Sequence, residues 1–374
     1  MAKTSVAYVP SRAVDARRAS DAALKRGSAI GDQAFKAFYD RRYHVKSDMA
    51  RPQPHFCVVA PPHGVIDETM ATHQELQDQL RGVTAFPITP FQPNLDLDLP
   101  ALKHNVDWMV GHGITSLVAA GGTGELYSLT TDEIEAVHRT VIEASGGRAG
   151  VICGVGGKVR EAQRLSTAAE SAGAAGILIL PPAYGPSPED GLVAFYAGIA
   201  SAVEIGVLPY ARDWAIFSPE AVAKLVDAAP NIVAFKDGSA DLRLWARIRA
   251  KIGDRLAWVG GVGDDMVHTY FAAGAEGFTS SVANFMPWVS LELYETAHRG
   301  DFAACRRVFE ENVADFYAIR ARRRGFEVSS VKYAMERCGL PAGPVRPPLT
   351  ELGPDESAIV QDMVDRLGLA TRAK

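Results

Sequence analysis

"GILILPP", residues 176–182, carries no polar side chain from Gly176 to Pro182. A strand with one wet face alternates apolar and polar residues, so a run this short and this uniformly apolar reads as a strand covered on both faces, the condition of a parallel sheet. Seven similar runs surround it: "GVTAFPITPF" (82–91), "SLVAAGG" (116–122), "GVICGVG" (150–156), "GVLPYA" (206–211), "NIVAFKD" (231–237), "LAWVGGV" (256–262) and "GFTSSVAN" (277–284). Helical patterns with start signals separate them. Asp98 precedes "LPALKHNVDWMV", Thr130 and Glu133 form a capping box, and Ser187-Pro188 and Ser218-Pro219 read as N-cap followed by proline at the first helical position. Ile134, Val137 and Val141 recur at the spacing of one core-facing stripe. Eight β/α units between residues 82 and 300 predict a TIM (β/α)8 barrel, a fold of roughly 250 residues. A doubly wound open sheet is the competitor, but "GVGGK" (154–158) and "GGVGDD" (260–265) match the dinucleotide fingerprint poorly and come late in the chain.

The remaining organisation follows from composition. Residues 70–300 are expected to form the barrel, with a helical stretch from Met70 leading into the first strand. "DFAACRRVFEENVADFYAIRARR", "VSSVKYAMERCG" and "PDESAIVQDMVDRLG", within 301–374, predict three additional C-terminal helices packed on it. Residues 1–69 differ: eleven Lys and Arg against seven acids give +4, which leaves −9 for the rest of a chain whose total is −5. A helix is expected near 19–43, weakened by Gly27 and Gly31, and Pro-rich "RPQPHFCVVAPPHG" (51–64) suits a linker. Two readings of this segment stay open, a flexible extension or an upstream start with Met70 as the natural first residue.

Bulk properties exclude several classes. With 47% apolar and 22% charged residues the chain is neither disordered nor fibrous. A net charge of −5 provides no general attraction for nucleic acid or an anionic membrane. No apolar stretch approaches the ~18 residues of a membrane span, and no leader-like apolar segment follows the N-terminus. Cys57, Cys153, Cys305 and Cys338 are far apart, without zinc spacing, which points to a reducing cytoplasm and no metal. Histidines 104, 112, 138, 268 and 298 fall in helical patterns without ligand spacing, as core or surface residues do.

Chemistry in a TIM barrel sits at the C-terminal ends of strands, and the polar residues collect there. "GGTGE" (121–125) leaves the second strand, Tyr184 follows the fourth, Tyr210 and Arg212 the fifth, Lys236 ends the sixth, and Ser280, Ser281 and Asn284 close the eighth. Lys236 shares a period-two face with Ile232 and Ala234, which would be the barrel interior. Desolvation there favours the neutral amine, a nucleophile able to form a Schiff base with a ketone. The plainer alternative is a strand-end lysine paired with Asp237, Asp241 or Glu125. Tyr210 could relay protons for the imine or be a rim aromatic. The glycines of "GGTGE" and the Thr123 hydroxyl could cradle a carboxylate or simply form a tight turn. Arg212 could hold a second carboxylate or pair with Asp213.

"GGTGE", Tyr210 and "FKDG" around Lys236, at these spacings, resemble the dihydrodipicolinate synthase and N-acetylneuraminate lyase superfamily over residues 75–370. The resemblance implies that Lys236 forms the imine, Tyr210 shuttles protons, and Gly122 and Thr123 hold the carboxylate of a 2-oxo acid. It also implies that Tyr184 reaches a neighbouring subunit in a homo-oligomer, a dimer of dimers. Within the superfamily the chain is most similar to the 5-dehydro-4-deoxyglucarate dehydratases. Gly122 stands where the synthase and the lyase carry a hydroxyl, "FKDG" and "GFTSSVANF" resemble the dehydratases, and "YARDW" keeps their Arg and Asp. Two departures are Ala211 in place of Asn and a last-strand motif one residue shorter. The implied substrate is a small sugar acid, handled in the cytoplasm with no metal or organic cofactor, with Arg212, Ser281 and Asn284 as candidates for its distal carboxylate and hydroxyl.

Overall fold

A computed structural model describes residues 68–183 and 185–372. The helix expected at 19–43, the linker at 51–64 and Tyr184 lie outside the described residues. Eight parallel strands close into a barrel in chain order: β1 (Val83–Ala85), β2 (Ser116–Ala119), β3 (Gly150–Gly157), β4 (Gly176–Pro182), β5 (Gly206–Ala211), β6 (Ala234–Asp237), β7 (Ala257–Gly260) and β8 (Gly277–Ser280). Val83 pairs with Phe278 to close the ring, and Tyr210 stands beside Lys236 in the β5–β6 register. The barrel expectation holds in strand number, order and direction.

The interior is an apolar layer of Val118, Ile152, Leu178, Leu208, Ala234 and Val259. Its floor is α1 (Glu68–Leu80), whose Leu76 and Leu80 are each 1% exposed and belong to the same cluster. Gly176 and Gly206 make room for that floor, since a Cβ at either would stand 2.6 or 2.5 Å from Leu76 Cδ2. Burying Leu76 alone contributes about 1.5–3 kcal/mol, so this helix, which begins at Glu68 rather than Met70, is part of the barrel.

The surrounding helices are α2 (Leu99–Gly111), α3 (Thr131–Ser145), α4 (Val159–Ser171), α5 (Glu189–Ala200), α6 (Pro219–Ala228), α7 (Leu242–Ile252), α8 (Val267–Ala272) and α9 (Pro287–His298). Asp98 caps α2 by accepting from Ala101 N, the Thr130–Glu133 capping box opens α3, and Ser218 caps α6. Ser187 does not cap α5: Pro188 is extended at ψ 145° and the helix begins at Glu189, whose acidic first turn suits the helix dipole. Ile134, Val137 and Val141 are buried together, and buried His138 contacts the Gly154 carbonyl at 3.0 Å.

Beyond the barrel lie α10 (Phe302–Asn312), α11 (Ala314–Arg320), α12 (Phe326–Arg337), α13 (Pro354–Arg366) and a last turn, Leu369–Arg372. The first of the three expected helices is divided at Val313, which leaves helical geometry at φ −128°. Val313 and Phe316 are both fully buried. Tertiary burial of the two has overridden the local helix preference of the run. Among the described residues no helix is long and apolar enough to cross a membrane.

Candidate active site

β6 begins at Ala234, and Lys236 follows it two residues later on the interior face. Ile232 does not share that face. Its N–H still bonds Ala229 O in the preceding turn, so Ile232 packs outward and Val233 takes the interior position. Lys236 is 3% exposed, with Nζ 3.1 Å from the Tyr210 ring centroid and 4.8 Å from that of Phe86. Burial drives its pKa well below the ordinary lysine value; the nearby Arg212 charge adds to this and Asp237 opposes it.

The three acids that could have paired with this lysine are engaged elsewhere. Asp237 points to the outer side of β6, where it accepts from Ser239 Oγ at 2.8 Å and from the Tyr270 hydroxyl. Asp241 caps α7 by accepting from Arg243 N and Leu244 N. Glu125 forms a buried ion pair with Lys332 of α12 at 2.7 Å. The amine therefore meets rings rather than carboxylates.

Tyr210 ends β5 with its hydroxyl donating to Gly261 O at 3.2 Å and accepting from Arg212 Nη1 at 3.1 Å. Burial raises the phenol pKa, and the Arg212 guanidinium offsets part of the rise. Two glycines permit this close assembly. A Cβ at Gly238 would stand 2.8 Å from Tyr210 Oη, and one at Gly261 would stand 2.8 Å from Lys236 Cγ. Nε of Arg212 approaches Asp213 at 3.6 Å, the pairing named as the plainer reading of this arginine.

The "GGTGE" turn follows β2. A Cβ at Gly121 would meet the Phe86 ring at 2.5 Å, whereas one at Gly122 would face open space. Gly122 O accepts from Glu125 N, and among the described residues the N–H groups of Gly122 and Thr123 make no backbone bond. Both residues are half-buried, which leaves donors available to an anion. Glu125 takes left-handed geometry at φ 56°, and its carboxylate also accepts from Arg346 N at 3.1 Å.

At the end of β8, Ser281 Oγ accepts from Arg320 Nη1 at 2.8 Å. Asn284 spends both amide hydrogens on Phe86 O and Ser281 O, and its carbonyl accepts from Ile88 N. It holds the β1 and β8 turns together. Ser280 turns outward to donate to Asp264, which also accepts from Ser290 and Tyr317 hydroxyls. Lys332, Arg320, Asp264 and Tyr317 are the residues that reading the sequence misses. Each meets its partner only through tertiary folding, so no local motif signals them. Among the described residues no cluster of three or more His, Cys, Asp or Glu side chains is placed to hold a metal ion.

A closed parallel barrel with its polar groups at the strand C-termini defines a TIM-barrel protein of the enzyme type. The model of the dihydrodipicolinate synthetase family matches residues 79–367, and the chain belongs to that family. A protein of Bradyrhizobium diazoefficiens named "Probable 5-dehydro-4-deoxyglucarate dehydratase" is 37% identical over 299 residues, covering 79% of this chain and 95% of its own. One of the same name from Saccharopolyspora erythraea is 38% identical over 294 residues, covering 78% and 95%. The crystal structure of dihydrodipicolinate synthase from Oceanobacillus iheyensis superposes with a TM-score of 0.75 at 28% identity, covering 79% of this chain and 99% of its own. A prophage protein of the same family from E. coli K12, solved in complex with pyruvate, gives 0.71 at 26%, covering 77% and 98%.

Proposed function

We propose that this chain is a Schiff-base lyase that dehydrates and decarboxylates 5-dehydro-4-deoxyglucarate to 2,5-dioxopentanoate. The observation that carries the reading is a desolvated lysine amine lying on the Tyr210 ring at the barrel mouth, with its neighbouring acids engaged elsewhere. The names of the relatives support the substrate, and the pyruvate complex of one structural relative supports a 2-oxo acid as the class of ligand.

The chemistry follows from an imine. The neutral Lys236 amine adds to the C2 ketone, and loss of one water leaves an iminium. That cation acidifies C3, and Tyr210 relays the proton away, its hydroxyl steadied by Arg212. Hydroxide leaves C4 with a proton, which gives a C3–C4 double bond conjugated to the iminium. Electrons of the bond from C5 to the distal carboxylate then flow through C4 and C3 to the imine nitrogen, and carbon dioxide departs. The resulting C5 enol and C2 enamine take up protons, becoming the aldehyde and the iminium. Water cleaves the iminium and frees the lysine. One water is released and one consumed at the imine, so the net products are one carbon dioxide and one water. In this scheme Gly122 and Thr123 hold the carboxylate next to the ketone, Arg212 and Ser281 line the distal side, and Asn284, its amide already spent, keeps the β1 and β8 turns in place. The same reading carries a homo-oligomer.

The direct test incubates the protein with 5-dehydro-4-deoxyglucarate and measures products. One carbon dioxide and one 2,5-dioxopentanoate per substrate are expected. Release of pyruvate with a three-carbon aldehyde acid instead would redirect the reading to aldol cleavage on the same lysine.

Two further results are expected. Tyr210→Phe keeps the ring under the lysine but loses the proton relay, so kcat will fall roughly 100- to 10,000-fold, while borohydride still traps substrate on Lys236. Loss of trapping along with turnover would place the part of the hydroxyl at or before imine formation instead. The acid limb of kcat/KM will lie below the ordinary lysine pKa of roughly 10.4, activity rising with pH as Lys236 loses its proton. Arg212→Gln removes a cation that disfavours the ammonium, so this limb will move to higher pH. An unmoved or lowered limb would contradict that electrostatic coupling.

A further inference from the structure

We infer that Arg320 receives the distal carboxylate of the substrate and so selects dicarboxylic over monocarboxylic 2-oxo acids. The inference rests on the imine reading of Lys236. Arg320 is the last residue of α11, outside the barrel sequence, yet its guanidinium is delivered to the strand-end side by Ser281, the residue after β8. Neutral contacts fix its plane: Nη1 donates to Ser281 Oγ at 2.8 Å, and Cζ lies 4.5 Å over the Tyr317 ring and 5.9 Å from that of Phe316. Among the described residues no carboxylate lies within ion-pair distance of it, although its charge favours the ionised forms of both Asp264 and Asp265; buried Asp264 is met by the Ser280, Ser290 and Tyr317 hydroxyls.

A guanidinium held by a hydroxyl and an aromatic face keeps its bidentate edge for an incoming carboxylate. Arg212, another cation at this end, is differently occupied, with Nη1 on the Tyr210 hydroxyl and Nε near Asp213. Removing Arg212 therefore disturbs proton transfer for any 2-oxo acid, whereas removing Arg320 should matter only for a substrate with a second carboxylate.

The test uses the full chain and needs no turnover. Parent, Arg320→Ala, Arg320→Lys and Ser281→Ala proteins are titrated with pyruvate or with 2-oxoadipate, reduced with borohydride, and the adduct on Lys236 is read by mass. Arg320→Ala is expected to raise the half-saturating concentration of 2-oxoadipate roughly tenfold to a hundredfold, as loss of a charged hydrogen bond does, and to leave that of pyruvate within about twofold. Arg320→Lys and Ser281→Ala should give smaller shifts in the same direction. Pyruvate capture doubles as the control for folding. Equal weakening toward both acids would make Arg320 a structural counter-charge for Asp264 and overturn the inference, as would no change with either. A parent protein that captures neither acid would defeat the imine reading itself, and this inference with it.

Discussion

Replacing Lys236 by arginine or alanine will lower turnover of 5-dehydro-4-deoxyglucarate by roughly 10,000-fold or more, about 5.5 kcal/mol in barrier height at ~1.36 kcal/mol per decade. Arginine keeps the charge and much of the bulk but cannot deprotonate, so it supplies no amine to attack the ketone. Alanine removes the nucleophile outright. Borohydride trapping in the parent will place the substrate mass on the peptide containing Lys236, and both variants will lose that adduct. Either variant converting substrate at the parental rate would remove the chemical basis of the scheme. The same residue has a stability signature of opposite sign. Its folded pKa lies below the unfolded value, so between the two the unfolded chain binds more protons and stability rises with pH. Below the folded pKa the burial penalty is constant. Lys236→Met fills similar space without a titrating group, so it will unfold at higher urea than the parent at pH 7, and the gap will narrow by pH 9. A methionine variant less stable than the parent at both pH values would show that the lysine is held by contacts stronger than its desolvation cost.

The barrel is legible because burial on both faces erases the polar alternation of a strand, most fully in the runs at 150–156, 176–182 and 206–211. Strand limits were less legible. The "GVTAFPITPF" run continues apolar to Phe91 while β1 stops at Ala85, since residues past the strand, such as Ile88 and Phe91, are buried by the turn above the barrel. Periodicity alone also extended the β6 face one step too far, to Ile232, because the chain is still turning there. At the strand ends the sequence pointed to Lys236, Tyr210, Arg212 and the β2 turn, which fold into one neighbourhood through β5–β6 pairing. For the C-terminal helices the sequence signals packing on the barrel and nothing more. The segment that joins α12 to α13 reaches far back, the Arg346 backbone N–H donating to the Glu125 carboxylate across 221 residues, and no spacing rule detects a pair at that distance.

That reach leads to the second large effect. Lys332 Nζ and Glu125 Oε1 are 2.7 Å apart with side chains 1% and 0% exposed, and Lys332 also donates to Pro344 O at 2.7 Å. Burial pushes the glutamate pKa up and the lysine pKa down, so each ion depends on the other to stay charged. Removing one partner, as in Lys332→Met or Glu125→Leu, strands the other in a dry site and will cost about 3–5 kcal/mol of stability in urea unfolding. The double variant Glu125→Leu with Lys332→Met should recover most of that loss, because an apolar pair carries no desolvation penalty. Single variants as stable as the parent, or a double variant whose loss equals the sum of the two, would show that the pair is not coupled as its geometry requires. Glu125 also sets the left-handed turn three residues after Gly122. If that turn holds the carboxylate beside the ketone, the double variant, though refolded, will keep an elevated half-saturating concentration for pyruvate in the borohydride assay. The stability recovers with hydrophobic packing, but the position of the Gly122 and Thr123 donors depends on a carboxylate tied to α12 and to Arg346 N, which leucine cannot replace.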